Sequence, residues 1–264
     1  MLDKMEALRY DRQIMINHFG EEGQEKLKKS RVLIAGAGGL GSAAAYYLTA
    51  AGVGALRIVD KDRVDLSNLN RQILHWEPDL DRPKVESAKE KLSKLNPWIN
   101  LDIRKEEINE ETLPQLMDGC DLVLDGLDNF PTRYLINQQI VRQGIPFIYG
   151  GILGMMGMAT MIRPGQTPCL KCLFPQAPPP QKFPVLGTTP GIIGLIEANE
   201  AIKYLVGFGK LLTGRLLVYN GLDMRFSEVR IEPNPECPVC ADSFKNEGEP
   251  TPDVDPGRKM DYGA

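Results

Sequence analysis

The sequence predicts an α/β fold, and two observations carry this prediction. Apolar runs of strand length alternate with helix-forming stretches from Arg31 to Gly151. The first of these runs, residues 31–35, leads directly into a glycine-rich turn, residues 36–41, and then into a helix-forming stretch. Strands that alternate with helices at this spacing indicate a mostly parallel, doubly wound sheet, and the strand–glycine turn–helix order makes it Rossmann-like.

The elements follow in order along the chain. One or two helices are expected within residues 5–29, before the sheet. Core strands are expected at 31–35, 55–60, 99–104, 120–125 and 146–149, and helices at 42–51, 84–95, 109–117 and 132–143. No crossover helix precedes the strand 157–163, so antiparallel C-terminal strands are expected there and at 215–220 and 225–230. Between them lie a proline-rich crossover, 174–184, and a buried helix, 191–206.

This division predicts one domain, residues 1–242. Its parts are N-terminal helices 5–29, a Rossmann-like core 31–151, a crossover and C-terminal part 152–242, and then a flexible tail 243–264. The net charge of -4 disfavours nonspecific nucleic-acid binding. Neither an N-terminal apolar leader nor a membrane-length apolar run is seen, so a cytoplasmic protein is expected.

The glycine turn and the acid that follows it predict a nucleotide site. Small residues let the backbone approach phosphates at a helix N-terminus, and Asp60, at the end of the next strand, can bind a ribose hydroxyl pair. A glycine-rich turn without a ligand is the alternative. These features alone fit NAD and ATP equally well.

Cations in the following loop favour ATP. Arg71 and Lys84 would be superfluous for a dinucleotide, whereas a pyrophosphate leaving group needs fixed positive charge. The alternative is solvated surface charge. Asp128 follows the strand that ends near Asp125, at the sheet edge where ligands bind, and we expect it to hold Mg²⁺. Asn129 or Asp125 is expected to cap the next helix.

The cysteines predict a structural zinc site. Four of the five cysteines form two C-x-x-C pairs, which can supply the thiolates of a closed tetrahedral site. Redox-active pairs are the alternative. The remaining thiol, Cys120, begins an apolar strand and is expected to be a small buried side chain. The metal candidates are Cys169, Cys172, Cys237 and Cys240.

Several motifs together resemble the MoeB/ThiF/HesA family, relatives of ubiquitin-activating enzymes. They occur in the family's order within residues 5–240, and the family also shares the spacing of the two cysteine pairs. The motifs are Arg9-Tyr-Asp-Arg12-Gln13, the glycine turn, Asp60, Ser67-Asn68-Leu-Asn-Arg71-Gln72, Pro83-Lys84-Val85-Glu86 and Asp125-Gly-Leu-Asp128-Asn129.

The resemblance implies an adenylyltransferase that uses ATP, substrate-bound Mg²⁺ and structural Zn²⁺. Its substrate would be the C-terminal Gly-Gly carboxylate of a ubiquitin-like sulfur-carrier protein of the ThiS/MoaD type. Arg12 would reach the ATP of the neighbouring subunit in a homodimer. The candidate catalytic residues are Arg12, Arg71, Lys84 and Asp128. The candidate nucleotide-binding residues are Gly36, Gly38, Gly39, Gly41, Asp60, Asn68, Arg71, Gln72, Lys84, Asp128 and Asn129.

One departure from the family narrows the expected reaction. Many relatives carry a cysteine in the crossover loop, where it can form a thioester or persulfide with the carrier, but residues 178–190 contain none. We therefore expect adenylation without a covalent enzyme–carrier intermediate, and a separate sulfur donor enzyme.

Two other functions remain as alternatives: an NAD-dependent oxidoreductase, which would leave Arg71, Lys84 and Asp128 unexplained, and a catalytically silent nucleotide- and zinc-binding module. Within the buried helix, Glu197 and Glu200 are expected to be solvent-facing or capping residues.

Overall fold

The computed structural model describes residues 2–179 and 183–244, and its centre is one eight-stranded sheet. The strands are β1 Arg31–Ala35, β2 Ala55–Val59, β3 Asn100–Arg104, β4 Leu122–Asp125, β5 Phe147–Leu153, β6 Met156–Ile162, β7 Arg215–Asn220 and β8 Arg225–Arg230. Their order across the sheet is β3-β2-β1-β4-β5-β6-β7-β8. The pairs from β3 to β5 are parallel, and those from β5 to β8 are antiparallel.

The helices cover both faces of this sheet. They are α1 Lys4–Arg9, α2 Asp11–Ile14, α3 Gly20–Lys29, α4 Gly39–Ala51, α5 Lys84–Leu95, α6 Leu113–Met117, α7 Phe130–Gln143, α8 Leu170–Leu173 and α9 Thr188–Val206. Side chains from α3, α4, α5 and α9 pack on one face in a single apolar cluster. Side chains from α6, α7, α8 and the C-terminal cysteine pair pack on the other. This is the doubly wound arrangement, and it places the parallel strand ends at one edge.

The α/β fold with a mostly parallel sheet and antiparallel C-terminal strands is confirmed. The bounds differ in places for local reasons. Three helices precede β1, because the left-handed backbone at His18 and Gly20 separates α2 from α3. Strand β5 continues to Leu153, because β6 pairs with it along its whole length. Helix α6 begins only at Leu113, after a turn in which the Asn109 side chain accepts backbone hydrogen bonds.

Two expectations fall partly or wholly outside the described residues. They are the flexible tail 243–264, of which the structure describes only 243 and 244, and the middle of the proline-rich crossover, residues 180–182. Among the helices of residues 2–179 and 183–244, none has both the length and the apolarity needed to cross a bilayer.

Candidate active site

The candidate site lies where the chain order reverses across the sheet. From β1 the chain runs outward through β2 and β3, then returns to place β4 on the other side of β1. The residues that directly follow these neighbouring strands are Gly36, Asp60 and Gly126. Ligands of open α/β sheets bind in the crevice at such a switch point.

The glycine turn packs backbone against backbone with the loop after β4. Gly36 has a φ of 106°, and a Cβ on it would lie 2.5 Å from the carbonyl oxygen of Gly126. A Cβ on Gly41 would lie 1.9 Å from the carbonyl oxygen of Gly36. The turn leads into α4, whose N-cap, Gly38, offers no side-chain cap. The first backbone N–H groups of a helix lack intrahelical partners, so this end suits an anion.

Asp60 is tied into the turn through its carboxylate. One oxygen accepts the N–H of Ala37 and the other accepts the N–H of Asp62, both at 2.8 Å. Burial raises the pKa of Asp60, while the nearby Lys84 ammonium and the two N–H groups act in the opposite direction. Each oxygen retains a further lone pair, and this pair of acceptors matches the two hydroxyl groups of a ribose.

Lys84 brings a buried cation beside that carboxylate. It is the first residue of α5, is only 5% exposed, and its ammonium lies 3.2 Å from the Asp62 carboxylate. Asp60, Asp62 and Lys84 therefore form one charged cluster at the end of β2.

The loop between β2 and α5 carries the remaining predicted phosphate contacts. Asn68 accepts the N–H of Asp65 and closes a short 3-10 turn. The Arg71 guanidinium donates to the carbonyl oxygen of Ser67 at 2.7 Å and so folds back over its own loop. Gln72 is buried and its amide nitrogen faces Gly38, whereas its side-chain oxygen has no hydrogen-bond partner. An unpaired buried acceptor at this point fits a ligand that donates a hydrogen bond.

The start of α9 covers this loop. Pro190 packs on Gly39 of the glycine turn, and Gly187 lies against the backbone of Asn70 and Arg71. The start of α9 and its N-cap are therefore part of the wall of the site, and close contacts with the glycine turn and the loop set their position.

Asp128 and Asn129 follow β4, and both are exposed. The Asn129 side-chain oxygen accepts the N–H of Thr132 at 3.0 Å and so caps α7, which was one of the two capping residues expected from the sequence. The Asn129 amide also donates to the Asp128 carboxylate at 3.4 Å. Asp128 is thus an exposed carboxylate in the loop after β4, with the Asn129 amide near one of its oxygens.

A buried charged cluster lies under the loop after β4. Asp125 is fully buried, accepts the N–H of Leu127 and pairs with Arg133 at 2.8 Å. Burial raises the pKa of Asp125, and the Arg133 guanidinium opposes that rise. Arg133 also donates to the carbonyl oxygens of Leu127 and Gly150, so it joins α7, the loop and β5. The Asp125–Arg133 pair holds the segment that carries Asp128.

The expectation that Glu197 and Glu200 face solvent or cap a helix is wrong. Both are buried inside α9. Glu200 accepts the N–H of Leu212 at 2.6 Å and pairs with Lys203. Glu197 packs against the backbone of Gly150, and neither of its oxygens has a partner. Burial, followed by the charge of Asp125, raises the pKa of Glu197 well above its ordinary value. The signal was present, since a helix that is apolar on nearly all sides also buries its few polar residues.

The four paired cysteines converge at one point on the opposite face of the sheet. All four sulfur atoms lie within 4.8 Å of one another, with 3.6 Å between Cys169 and Cys237 and 3.4 Å between Cys172 and Cys240. Four thiolates around zinc, each about 2.3 Å from the metal, stand about 3.8 Å apart. The donor set and its spacing therefore fit zinc. The side chain of Asn137 in α7 donates to the Cys169 sulfur at 3.5 Å, which orients that thiolate.

Arg12 and Cys120 lie away from the other candidates. Arg12 is exposed on α2, beside the C-terminal end of α4, and so is not brought to the glycine turn of its own chain. Cys120 is buried as expected, and burial raises the pKa of its thiol. A thiol that resists ionisation is a poor nucleophile.

Comparisons with known proteins give one consistent result. The model of the ThiF family matches residues 10–239. The SAMP-activating enzyme E1 of Haloferax volcanii is 44% identical over 247 residues, which cover 91% of this chain and 91% of that protein. The sulfur carrier protein adenylyltransferase of Thermus thermophilus is 40% identical over 250 residues, covering 90% of this chain and 92% of that protein.

Solved structures of E. coli MccB share the fold. The structure with ATP superposes with a TM-score of 0.81 over 90% of this chain and 75% of MccB, at 23% sequence identity. At that identity the likeness extends to the fold alone.

Proposed function

Because this chain belongs to the ThiF family, we propose that it uses ATP to adenylate the C-terminal Gly-Gly carboxylate of a ubiquitin-like sulfur-carrier protein. Relatives that match along nine-tenths of their length are named for activation of SAMP and for adenylation of a sulfur carrier. The family resemblance in the sequence motifs is confirmed. The proposed adenylation domain comprises residues 1–242.

One observation carries the proposal: an open helix N-terminus, a ribose-compatible carboxylate and a buried cation meet at the switch point of the sheet. They are the start of α4, Asp60 and Lys84. The unpartnered oxygen of Gln72 adds an acceptor beside the turn. This set fits a nucleotide whose ribose reaches Asp60 and whose phosphates reach the start of α4 and Lys84.

The proposed reaction joins a carboxylate oxygen of the carrier to the α-phosphorus of ATP. The bond from that phosphorus to the bridging oxygen of the β-phosphate breaks, and pyrophosphate leaves. The carboxylate is already ionised at neutral pH, so no general base is required. Lys84 and Arg71 would stabilise the charge that builds on the leaving group, and the turn at Gly36, Gly38, Gly39 and Gly41 would orient the phosphates.

We propose that Asp128 holds the magnesium ion that accompanies ATP. Mg²⁺ prefers one or two carboxylates together with substrate phosphates, and Asp128 is an exposed carboxylate in the loop after β4, at the sheet edge where ligands bind. When bound, the ion would neutralise phosphate charge. Asn129 would contribute by restraining the Asp128 carboxylate through its amide.

We propose a structural zinc at the four cysteines Cys169, Cys172, Cys237 and Cys240. Such a site would tie α8 to the C-terminal cysteine pair, and a closed four-thiolate site leaves no position for substrate. A thiolate zinc site also suits a reducing compartment, which supports a cytoplasmic location. Metal analysis of freshly purified protein is expected to find about one zinc per chain. Its absence would contradict the site.

We propose that the enzyme works as a homodimer in which Arg12 serves the partner's site. Gln13 donates to the carbonyl oxygen of Ala51, and Tyr10 accepts from Asn96, which also donates to the carbonyl oxygen of Thr49, so α2 is anchored at the C-terminal end of α4. That end lies about 18 Å from the glycine turn at the rise of an α-helix, which is farther than an arginine side chain extends.

The thiols support adenylation without a covalent enzyme–carrier intermediate. Cys120 is buried just before β4, and the other four cysteines form the proposed metal site. Sulfur would therefore come from a separate donor enzyme. A carrier adduct on Cys120 that thiols can reduce would contradict this.

The test of the proposed function is carrier-dependent exchange between ATP and pyrophosphate. With magnesium and a carrier ending in Gly-Gly, we expect exchange that disappears when the two glycines are removed. Absence of exchange with every carrier, combined with NAD binding, would favour an oxidoreductase. Absence of both would favour a silent binding module.

A further inference from the structure

His75 is a buried side chain with no part in the proposed chemistry, yet it contacts the glycine turn directly. It is 2% exposed, and its Nε2 lies 2.9 Å from the carbonyl oxygen of Ala37, between Gly36 and Gly38. We propose that His75 is a positioning residue for nucleotide binding, which fixes the glycine turn through the Ala37 carbonyl. This inference rests on the proposed function, because it concerns the same phosphate site.

Both polar groups of the Ala37 backbone are held from outside the turn. Its N–H donates to the Asp60 carboxylate at 2.8 Å, and its carbonyl oxygen faces His75. The Ser42 hydroxyl also approaches this carbonyl, at the longer distance of 3.4 Å. The residue at the centre of the turn is thus clamped between the proposed ribose carboxylate and the imidazole.

The neighbours of His75 assign its proton. A carbonyl oxygen only accepts, so Nε2 must carry the hydrogen that is donated to Ala37. Nδ1 is then an acceptor, and the Ser87 hydroxyl, 2.9 Å away, donates to it. The Ser87 oxygen in turn accepts from the Lys91 ammonium at 2.9 Å, and Lys91 pairs with Asp79. One tautomer satisfies every member of this chain.

The imidazole stays neutral, with the same tautomer, across the physiological pH range. Burial lowers the pKa of His75 to about 4, and the positive charges of Lys84 and Lys91 contribute to the lowering. A neutral ring with a fixed tautomer is a poor proton shuttle but a stable donor. Its geometry points to orientation of the backbone and away from acid–base catalysis.

The contacts of Asp60 and His75 with Ala37 matter because the next residues along the chain face the phosphates in the proposed site. Gly38 is the N-cap of α4 and Gly39 is its first residue. Rotation of the Ala37–Gly38 peptide would turn a carbonyl dipole toward the anion and move the N–H donors. A donor on the Ala37 carbonyl opposes that rotation. The backbone N–H of His75 also donates to the backbone carbonyl of Gln72. His75 therefore joins the loop between β2 and α5 to the glycine turn.

Two amide substitutions separate positioning from simple core packing. In His75→Gln the side-chain amide can reach the place of Nε2 and donate to Ala37. In His75→Asn the shorter amide can reach only the place of Nδ1, near Ser87. Both replace the ring with a polar group of the same chemistry, so the Asn variant is the matched control for the Gln variant. His75→Ala removes both contacts.

The experiment measures binding of ATP with magnesium, and of adenosine, to the full chain by isothermal titration. Adenosine has the base and ribose but no phosphate. We expect His75→Asn and His75→Ala to bind ATP about tenfold more weakly, as the loss of one ordinary hydrogen bond would produce, with adenosine affinity unchanged. His75→Gln is expected to stay within about twofold of wild type. Thermal melting verifies that each variant is folded.

Three results would overturn the proposal: wild-type affinity for ATP in His75→Asn, a parallel loss of adenosine affinity, or the same defect in the Gln and Asn variants. Failure of the wild-type chain to bind ATP would be a different outcome. It would contradict the nucleotide site itself, and the role of His75 with it.

Discussion

At the scale of single residues, Glu197 is a buried acid for which the described residues supply no hydrogen-bond partner. Its carboxyl group is buried against β5 with neither oxygen paired, and the Arg133 charge is already committed to Asp125. An ionised carboxylate there would be an uncompensated buried charge. Glu197 is therefore protonated in the folded chain at pH values where it is ionised in the unfolded one.

Glu197→Gln should therefore become increasingly stabilising as the pH rises. The native pKa is raised, so the wild-type group loses stability as the pH climbs from its unfolded pKa, near 4.5, toward the native value. The difference between Gln variant and wild type should grow by up to about 1.4 kcal/mol per pH unit in that window. Urea unfolding at pH 5 and pH 8, at one protein concentration, measures it.

Glu200→Gln is the matched control for this prediction. Glu200 is equally buried in the same helix, but it accepts the N–H of Leu212 and pairs with Lys203. Its substitution should destabilise the chain by about 1.5–3 kcal/mol at neutral pH, because a charge-assisted hydrogen bond is lost. A Glu197→Gln effect that is the same at both pH values would show that Glu197 is not protonated in the native state.

The sequence predicts the positions of some site residues but not of others. Asp60 follows a strand and Lys84 begins a helix, so local pattern alone places them at the ligand edge. His75 and Glu197 acquire their surroundings through contacts with Ala37 and Gly150, which are distant in sequence. A pattern along one chain does not contain those contacts.

At the scale of secondary-structure elements, helix α2 bears on the proposed homodimer, because it carries Arg12. Gln13, within this short helix, donates to the carbonyl oxygen of Ala51 in α4, and Tyr10, just before it, accepts from Asn96 at the end of α5. Met15 and Ile16, just after it, are at least half exposed. An anchored helix that presents Arg12 together with apolar side chains fits an interface with a second copy.

Complementation between two inactive variants tests that arrangement. Arg12→Ala and Asp128→Ala each remove one component, and we expect each to lower exchange by about 10² to 10³. When the two are co-expressed, half of the dimers are mixed, and each mixed dimer contains one complete site. Exchange should recover to roughly a quarter of the wild-type rate. No recovery, or full activity of Arg12→Ala alone, would contradict action across subunits.

The ends of the helices and strands differ in how well the sequence predicts them. Helix α5 and strands β7 and β8 begin and end where periodicity places them. Helix α9 begins three residues earlier than expected, at Thr188, where Pro190 packs on Gly39 and Gly187 on Asn70. That start is determined by tertiary contact, which composition does not encode.

At the scale of the whole molecule, one continuous sheet joins the edge that carries the proposed nucleotide site to the C-terminal strands. The parallel half supplies the glycine turn, Asp60 and the loop with Asp128, and the antiparallel half extends from β5 through β8. The parallel pairing of these strands follows from the strand–helix alternation. The convergence of the two cysteine pairs, by contrast, depends on how the chain returns after β8.

The most direct test of the central claim is carrier-dependent ATP–pyrophosphate exchange by wild type, Arg71→Ala and Asp128→Ala. Lys105→Ala serves as the control, since it removes an exposed cation just after β3, at the same sheet edge but outside the proposed site. We predict exchange in wild type and in the control, and a loss of about 10² to 10³ in the two site variants with folding unchanged. Near-normal exchange in both site variants would contradict the account.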